Sequence, residues 1–220
     1  MSRKVLITGG SRGIGFEIAA LMKAGGYEVV APSRAELNLE SIESIDRYFA
    51  KSSDADILVN NAGINVISPL ASIGIDQWNQ ILSVNLSAPM RLIQKVIPHM
   101  QERGWGRILN ISSVFSNLTR EGRASYSASK SGLNGLTRTA AVELGKYGIL
   151  VNALCPGYVE TQLTHQNNSA ADLEKIIKTI PLGRLAKSEE IAEAAEFLCS
   201  ERNSYLTGQM ITIDGGFSIT

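Results

Sequence analysis

Lys4-Val5-Leu6-Ile7-Thr8-Gly9-Gly10-Ser11-Arg12-Gly13-Ile14-Gly15 decides the fold, because an apolar run passes straight into three spaced glycines. Apolar residues then recur at Ile14, Ile18, Leu21 and Met22. The pattern predicts a buried strand, a glycine turn and an amphipathic helix. Gly9 would allow the sharp turn out of the strand, Gly13 would let the backbone approach a pyrophosphate, and Gly15 would permit close packing of the helix. The N-terminus of such a helix offers unpaired N–H groups and a positive dipole end to phosphates.

Outward from that unit, strand patterns at 27–31, 56–60, 107–111, 150–154 and 210–213 alternate with helical patterns. This alternation predicts a parallel sheet covered on both faces, a Rossmann-type doubly wound α/β fold. A short extended piece is expected at 36–39. The chain has 220 residues with 44% hydrophobic content, enough for one such domain (1–220) and too little for a comfortable second. Between Arg34 and Asp56 only one helical pattern fits, at Ile42, Ile45, Tyr48 and Phe49, so the crossover after the second strand is shortened. The polar segment 164–172 reads as a mobile loop.

The 21 basic and 21 acidic residues cancel and are scattered, which argues against a nucleic-acid or anionic-membrane surface and for small-molecule chemistry. No apolar run approaches the ~18 residues of a membrane helix. Cys155 and Cys199 form no Cys-x2-Cys motif and no histidine cluster joins them, so no metal site is expected and both read as buried filler in a reducing compartment. The Met-Ser-Arg-Lys start leaves no room for a signal peptide, and a cytoplasmic location is expected.

Tyr126 and Lys130 carry the chemical signal. Four residues apart on a helix, they share a face, which sets an ammonium beside a phenol and is expected to lower the phenol's ordinary pKa of about 10. Such a phenol exchanges a proton with a carbonyl or alcohol oxygen.

Together, Thr8-Gly9-x3-Gly13-x-Gly15, Asn60-Asn61-Ala62-Gly63, Asn85, Asn110-Ile111-Ser112-Ser113, Tyr126-x3-Lys130, Pro156-Gly157-x3-Thr161 and Thr207-Gly208-Gln209-x4-Asp214-Gly215-Gly216 resemble the short-chain dehydrogenase/reductase family over nearly the whole chain. The run Ile180-Pro181-Leu182-Gly183-Arg184-Leu185-Ala186 is similar to its 3-oxoacyl carrier-protein reductase branch, and also to reductases of sugars and polyols. The resemblance implies hydride transfer between a nicotinamide cofactor and a carbonyl or secondary alcohol. It implies Tyr126 as general acid/base, Lys130 as its partner and ribose ligand, Ser113 as donor to the substrate oxygen, and Asn85 as holder of a proton-path water. It also implies cofactor contacts from Gly9, Ser11, Arg12, Gly13, Ile14, Gly15, Asn61, Ala62, Gly63, Pro156, Gly157, Val159 and Thr161, and a substrate lid over about 158–185. A homodimer or homotetramer built on the small-residue helix 126–145 and on 76–100 follows from the same resemblance.

After the second strand, where NAD binders of this architecture place an acidic residue, the chain has Ser33-Arg34. A guanidinium there suits the 2′-phosphate, and the resemblance implies that Arg12 of the glycine loop lies near the same place, so NADP(H) is expected, with NAD(H) as the alternative through Glu36. Asn38-Leu39 would lie beside the adenine. Arg120 and Arg123 could meet an acidic or phosphorylated substrate group. Two other functions compete: a non-catalytic sensor of the dinucleotide, and a nucleotide-sugar epimerase or dehydratase using the same Tyr-x3-Lys pair.

Overall fold

The computed structural model describes residues 2–51 and 54–220. Strands β1 (Lys4–Ile7), β2 (Glu28–Val30), β3 (Ile57–Asn60), β4 (Gly106–Ile111), β5 (Ile149–Pro156) and β6 (Met210–Ile213) pair in parallel, in the order β2-β1-β3-β4-β5-β6. Each overlaps its predicted segment. A parallel sheet needs both faces covered, and side chains alternate between them. Val5, Ile7, Ile57, Val59, Leu109 and Leu154 pack on α1 (Gly13–Ala24) and α8 (Ser188–Cys199). Leu6, Leu58, Ile108 and Val151 pack on α2 (Ile42–Phe49), α4 (Ala88–Arg103) and α5 (Ala124–Leu144).

Two local expectations fail for identifiable reasons. The piece at 36–39 is not extended: the N–H groups of Glu36 and Leu37 both return to the Ser33 carbonyl, and the Glu36 carboxylate accepts from the N–H and hydroxyl of Ser33. That local bonding closes a turn. The crossover then runs through α2 alone, whose start is capped by Ser41, and β2 is left as the sheet edge. The segment 164–172 is not a loop either. Its ends lie in α6 (Gln162–Gln166) and the start of α7 (Ala170–Thr179), where Ser169 and Asp172 cap each other's backbone, and only 167–169 connect the two.

Between α3 (Ile75–Leu82) and α4, residues Ser83–Ser87 form a π-helical turn, a feature often associated with functional sites. It carries Asn85 inward and Leu86 against α5. A methyl at Gly132 would lie 2.8 Å from Leu86, so part of the small-residue pattern on α5 is explained by packing within the chain.

The glycine turn is as tight as its spacing implies. Gly9 has φ +67°, favoured by glycine, and a Cβ on Gly15 would sit 2.3 Å from the Asn61 amide nitrogen and 2.4 Å from the Gly9 carbonyl oxygen. Gly15→Ala must displace backbone and is expected to cost about 1–3 kcal/mol. A lower urea midpoint is the expected result; an unchanged one would show that the turn absorbs the methyl.

Candidate active site

Because all six strands run the same way, their carboxyl ends open on one edge of the sheet, and the loops leaving β1, β3, β4 and β5 meet there. The loop after β1 is tied to the loop after β3. The Thr8 hydroxyl accepts from the N–H groups of Asn61 and Ala62, and the Asn61 amide donates to the carbonyls of Thr8 and Gly9 at 3.0 Å each. The resulting cleft has two lobes that share Gly9, Ala62 and Gly63. No side chain caps α1 and its first turn holds no acidic residue, so its N-terminus faces the cleft ready for an anion. These features fit a dinucleotide pyrophosphate.

The larger lobe contains the catalytic candidates. Tyr126 and Lys130 do share a face of α5, with the ammonium 5.7 Å from the phenol ring centre. Lys130 is 3% exposed and donates to the Ile111 carbonyl at 2.7 Å, which fixes it against the end of β4. Ser113, two residues further along, lies close enough to the phenol to favour its ionised form, while its hydroxyl accepts from the Phe115 N–H at 3.2 Å. Asn85 is fully buried and lines neither lobe; it exchanges two hydrogen bonds with the backbone of Ile64 and donates to the Ser129 hydroxyl. A Cβ at Gly63 would lie 3.4 Å from the Asn85 carbonyl oxygen and 3.6 Å from the Lys130 nitrogen, so Asn85 sits behind the lysine.

The electrostatics correct one expectation. Burial pushes the Tyr126 phenol above its ordinary value, against smaller lowering effects from Ser113 and Arg123. Burial also brings Lys130 down to about 8. At neutral pH the resting pair is therefore ammonium and neutral phenol, a proton donor in waiting. The ammonium acts on the phenolate only once that phenolate forms.

Above the cleft, Tyr158, Leu173, Ile176, Ile180 and Leu185 form a small core with Val114 and Phe115. Phe115 meets Tyr126 and Tyr158 edge to face at 6.5 and 6.0 Å, so the segment that folds over the cleft is joined to the candidate acid through this ring. Gly13 and Thr161 face each other across it, and Arg12 bonds Gln162 of α6. That places Arg12 in the larger lobe, away from Arg34. Arg34 lines the smaller lobe with Leu37, Asn38, Leu39 and Glu40, and pairs with Glu40 at 2.9 Å.

Most predicted contacts fall in the two lobes: Gly9, Arg12, Gly13, Ile14, Gly15, Asn61, Ala62, Gly63, Ser113, Tyr126, Lys130, Pro156, Gly157, Val159 and Thr161 in the larger, Arg34, Asn38 and Leu39 in the smaller. Ser11 and Ser33 line neither; Ser33 is engaged with Glu36. The prediction missed Asn65, Phe115, Tyr158 and Asn168 as lining residues. Asn65 and Phe115 each stand two residues beyond a predicted site residue, Gly63 and Ser113, close enough to have been found; Tyr158 and Asn168 reach the site through the fold of the covering segment.

A family model described as enoyl-(acyl carrier protein) reductase matches residues 36–218. An acetoacetyl-CoA reductase from Shinella zoogloeoides is 38% identical over 237 residues, covering 98% of each chain. A 3-oxoacyl-(acyl-carrier-protein) reductase from Thermotoga maritima is 36% identical over 239 residues, covering 97% of each. Both alignments, at 237 and 239 residues, are longer than the 220-residue chain. A 4-hydroxyisoleucine dehydrogenase solved with NADH superposes with a TM-score of 0.94 at 29% identity, covering 100% of each chain.

The buried ammonium makes a prediction about stability. With Lys130 brought from 10.5 to about 8 in the fold, the unfolded chain holds more protons between those values, so the cost of burying the charge is present below about pH 8 and fades as pH rises. The unfolding free energy of Lys130→Met should exceed that of wild type most at pH 7, and the difference should shrink by pH 10. A pH-independent difference in urea denaturation would show that Lys130 titrates normally.

Proposed function

The chain belongs to the short-chain dehydrogenase/reductase family and is an oxidoreductase, and we propose that it reduces a carbonyl compound with NADP(H), Tyr126 being the acid. The observation that carries this reading is the convergence of Ser113, Tyr126 and Lys130 at the mouth of β4, beneath a covered, glycine-floored cleft. When bound, the dinucleotide supplies the hydride. The glycine loop and the N-terminus of α1 hold its phosphates, and Pro156, Gly157, Val159 and Thr161 wall the nicotinamide end. Ser113 and Tyr126 orient the substrate oxygen, and the phenol proton passes to it as negative charge develops there. Lys130, still charged at neutral pH, compensates the phenolate left behind. Asn85, held by the backbone of Ile64, is a positioning residue behind that ammonium.

Several further points belong to this reading. The domain spans 1–220, with a substrate lid over about 158–185. Copies associate through α4 and α5, where Met90 and Val142 are exposed, as a homodimer or homotetramer. No described helix is long and apolar enough to cross a membrane, and two free, buried thiols suit a reducing, cytoplasmic setting. A carbonyl is favoured over a carbon–carbon double bond because two hydroxyls, Ser113 and Tyr126, line the same lobe and suit an oxygen.

NADP(H) over NAD(H) rests on Arg34. It lines the adenosine lobe, whereas Glu36 does not and is occupied by Ser33. A charge-assisted bond to a 2′-phosphate is worth about 1.5–3 kcal/mol, roughly a ten- to hundred-fold preference. Arg34→Ala should lower kcat/KM for NADPH by that factor and leave the value for NADH nearly unchanged; a wild-type enzyme that prefers NADH contradicts the assignment.

Steady NADPH oxidation with a panel of ketones tests the reaction itself. Tyr126→Phe should bind NADPH yet lose at least ~100-fold in turnover. Near-normal turnover would remove Tyr126 from the chemistry, and tight cofactor binding without turnover by wild type on any substrate would favour the sensor.

A further inference from the structure

Arg123 is left unused by the chemistry above. It stands at the start of α5, three residues before Tyr126 and so on nearly the same face of the helix. It is 6% exposed, lines the larger lobe, and its guanidinium carbon lies 5.3 Å over the Phe115 ring. Its side chain makes no hydrogen bond or ion pair within the described residues. Arg120 differs: its guanidinium donates to the Tyr158 hydroxyl at 2.6 Å.

A guanidinium remains charged in a protein, and no Arg123 nitrogen is among the fully buried, unpartnered polar atoms, so the charge opens on the cleft with the Phe115 ring beside it and is available to an anion. The charged residues that line this lobe are Arg12, Arg123 and Lys130, with no aspartate or glutamate among the described residues. The buried Asn65 side-chain oxygen on the same wall also lacks a partner. The lobe encloses about 240 Å³, part of which the nicotinamide end requires, so the remaining space suits a short molecule.

We propose that the substrate is a short oxo acid (a hydroxy acid in the reverse direction), whose carboxylate pairs with Arg123 while its carbonyl oxygen faces Ser113 and Tyr126. This rests on the carbonyl-reductase reading above and adds the substrate class. A planar fork matches a carboxylate through two parallel hydrogen bonds. One guanidinium balances one carboxylate charge, which leaves Lys130 to the phenol and Arg12 to Gln162. Closeness to Tyr126 on the helix puts the acid group near the reacting carbonyl, and Phe115 forms the apolar wall beneath the guanidinium.

The test compares acetoacetate and 2-oxobutanoate with their methyl esters, and acetoacetate with acetoacetyl-CoA, in NADPH oxidation. It adds calorimetric binding of the acids and esters to protein loaded with NADP⁺, which needs no turnover. Wild type should favour each acid over its ester by about 10- to 100-fold, the worth of a charge-assisted contact, with the difference in KM and in binding. Arg123→Met should erase that gap, and Arg123→Lys should restore part of it. Equal use of acid and ester, preference for the thioester, or a gap that survives Arg123→Met overturns the proposal. So does an equal fall in kcat for acid and ester, which would make Arg123 a tuner of the phenol. Reduction of neutral ketones without acid preference would leave the reductase reading intact and remove this one. Arg123-dependent acid binding with no turnover of any carbonyl would remove the reductase reading and overturn the substrate assignment with it, leaving only carboxylate recognition by Arg123.

Discussion

The 2.7 Å hydrogen bond from the Lys130 ammonium to the Ile111 carbonyl is the contact on which the site depends. It joins α5 to the carboxyl end of β4, and so fixes where Tyr126 stands relative to Ser113 and the glycine-lined cleft. The bond also places a charge where water is scarce. The fold bears that cost with one carbonyl acceptor and with Asn85 behind, itself held by both backbone groups of Ile64. An ammonium that tight burial has brought down to about 8 is still charged at neutral pH, while the neighbouring phenol keeps its proton. The two effects of burial therefore reinforce each other: one residue is ready to give a proton, and the other to balance the charge that results.

The rest of the architecture keeps this pair dry and aimed. Parallel pairing brings four loops to one edge, and the Thr8 and Asn61 hydrogen bonds lock two of them together into a cradle that only glycines leave open. The Phe115 ring links the candidate acid to the small core under the covering helices, so the covering segment and the helix that carries Tyr126 share one packing unit.

How much of this was legible in the sequence followed the range of the interactions. The glycine turn, the strand segments and the Tyr126–Lys130 pair are local, with spacings set by the 3.6- and 2-residue periods, and they were read correctly. The segment 36–39 was misread because bonding of Glu36 to Ser33 won over strand propensity. The helices at 162–179 were missed because polar residues there serve as caps rather than as loop formers. The direction of the Tyr126 shift could not be read from spacing at all: a neighbouring cation says down, and burial, a property of the whole fold, says up. Arg12 shows the same limit, since its partner Gln162 lies 150 residues away.

The most direct test of the account is the order in which the two groups lose their protons, followed by NMR of protein labelled at lysine and tyrosine side-chain carbons, with Lys130→Met and Tyr126→Phe to assign the signals. The account predicts that Lys130 titrates first, at about 8, and Tyr126 only above the ordinary phenol value of ~10. A phenol that ionises first, near neutral pH beside a lysine that stays charged, would contradict it.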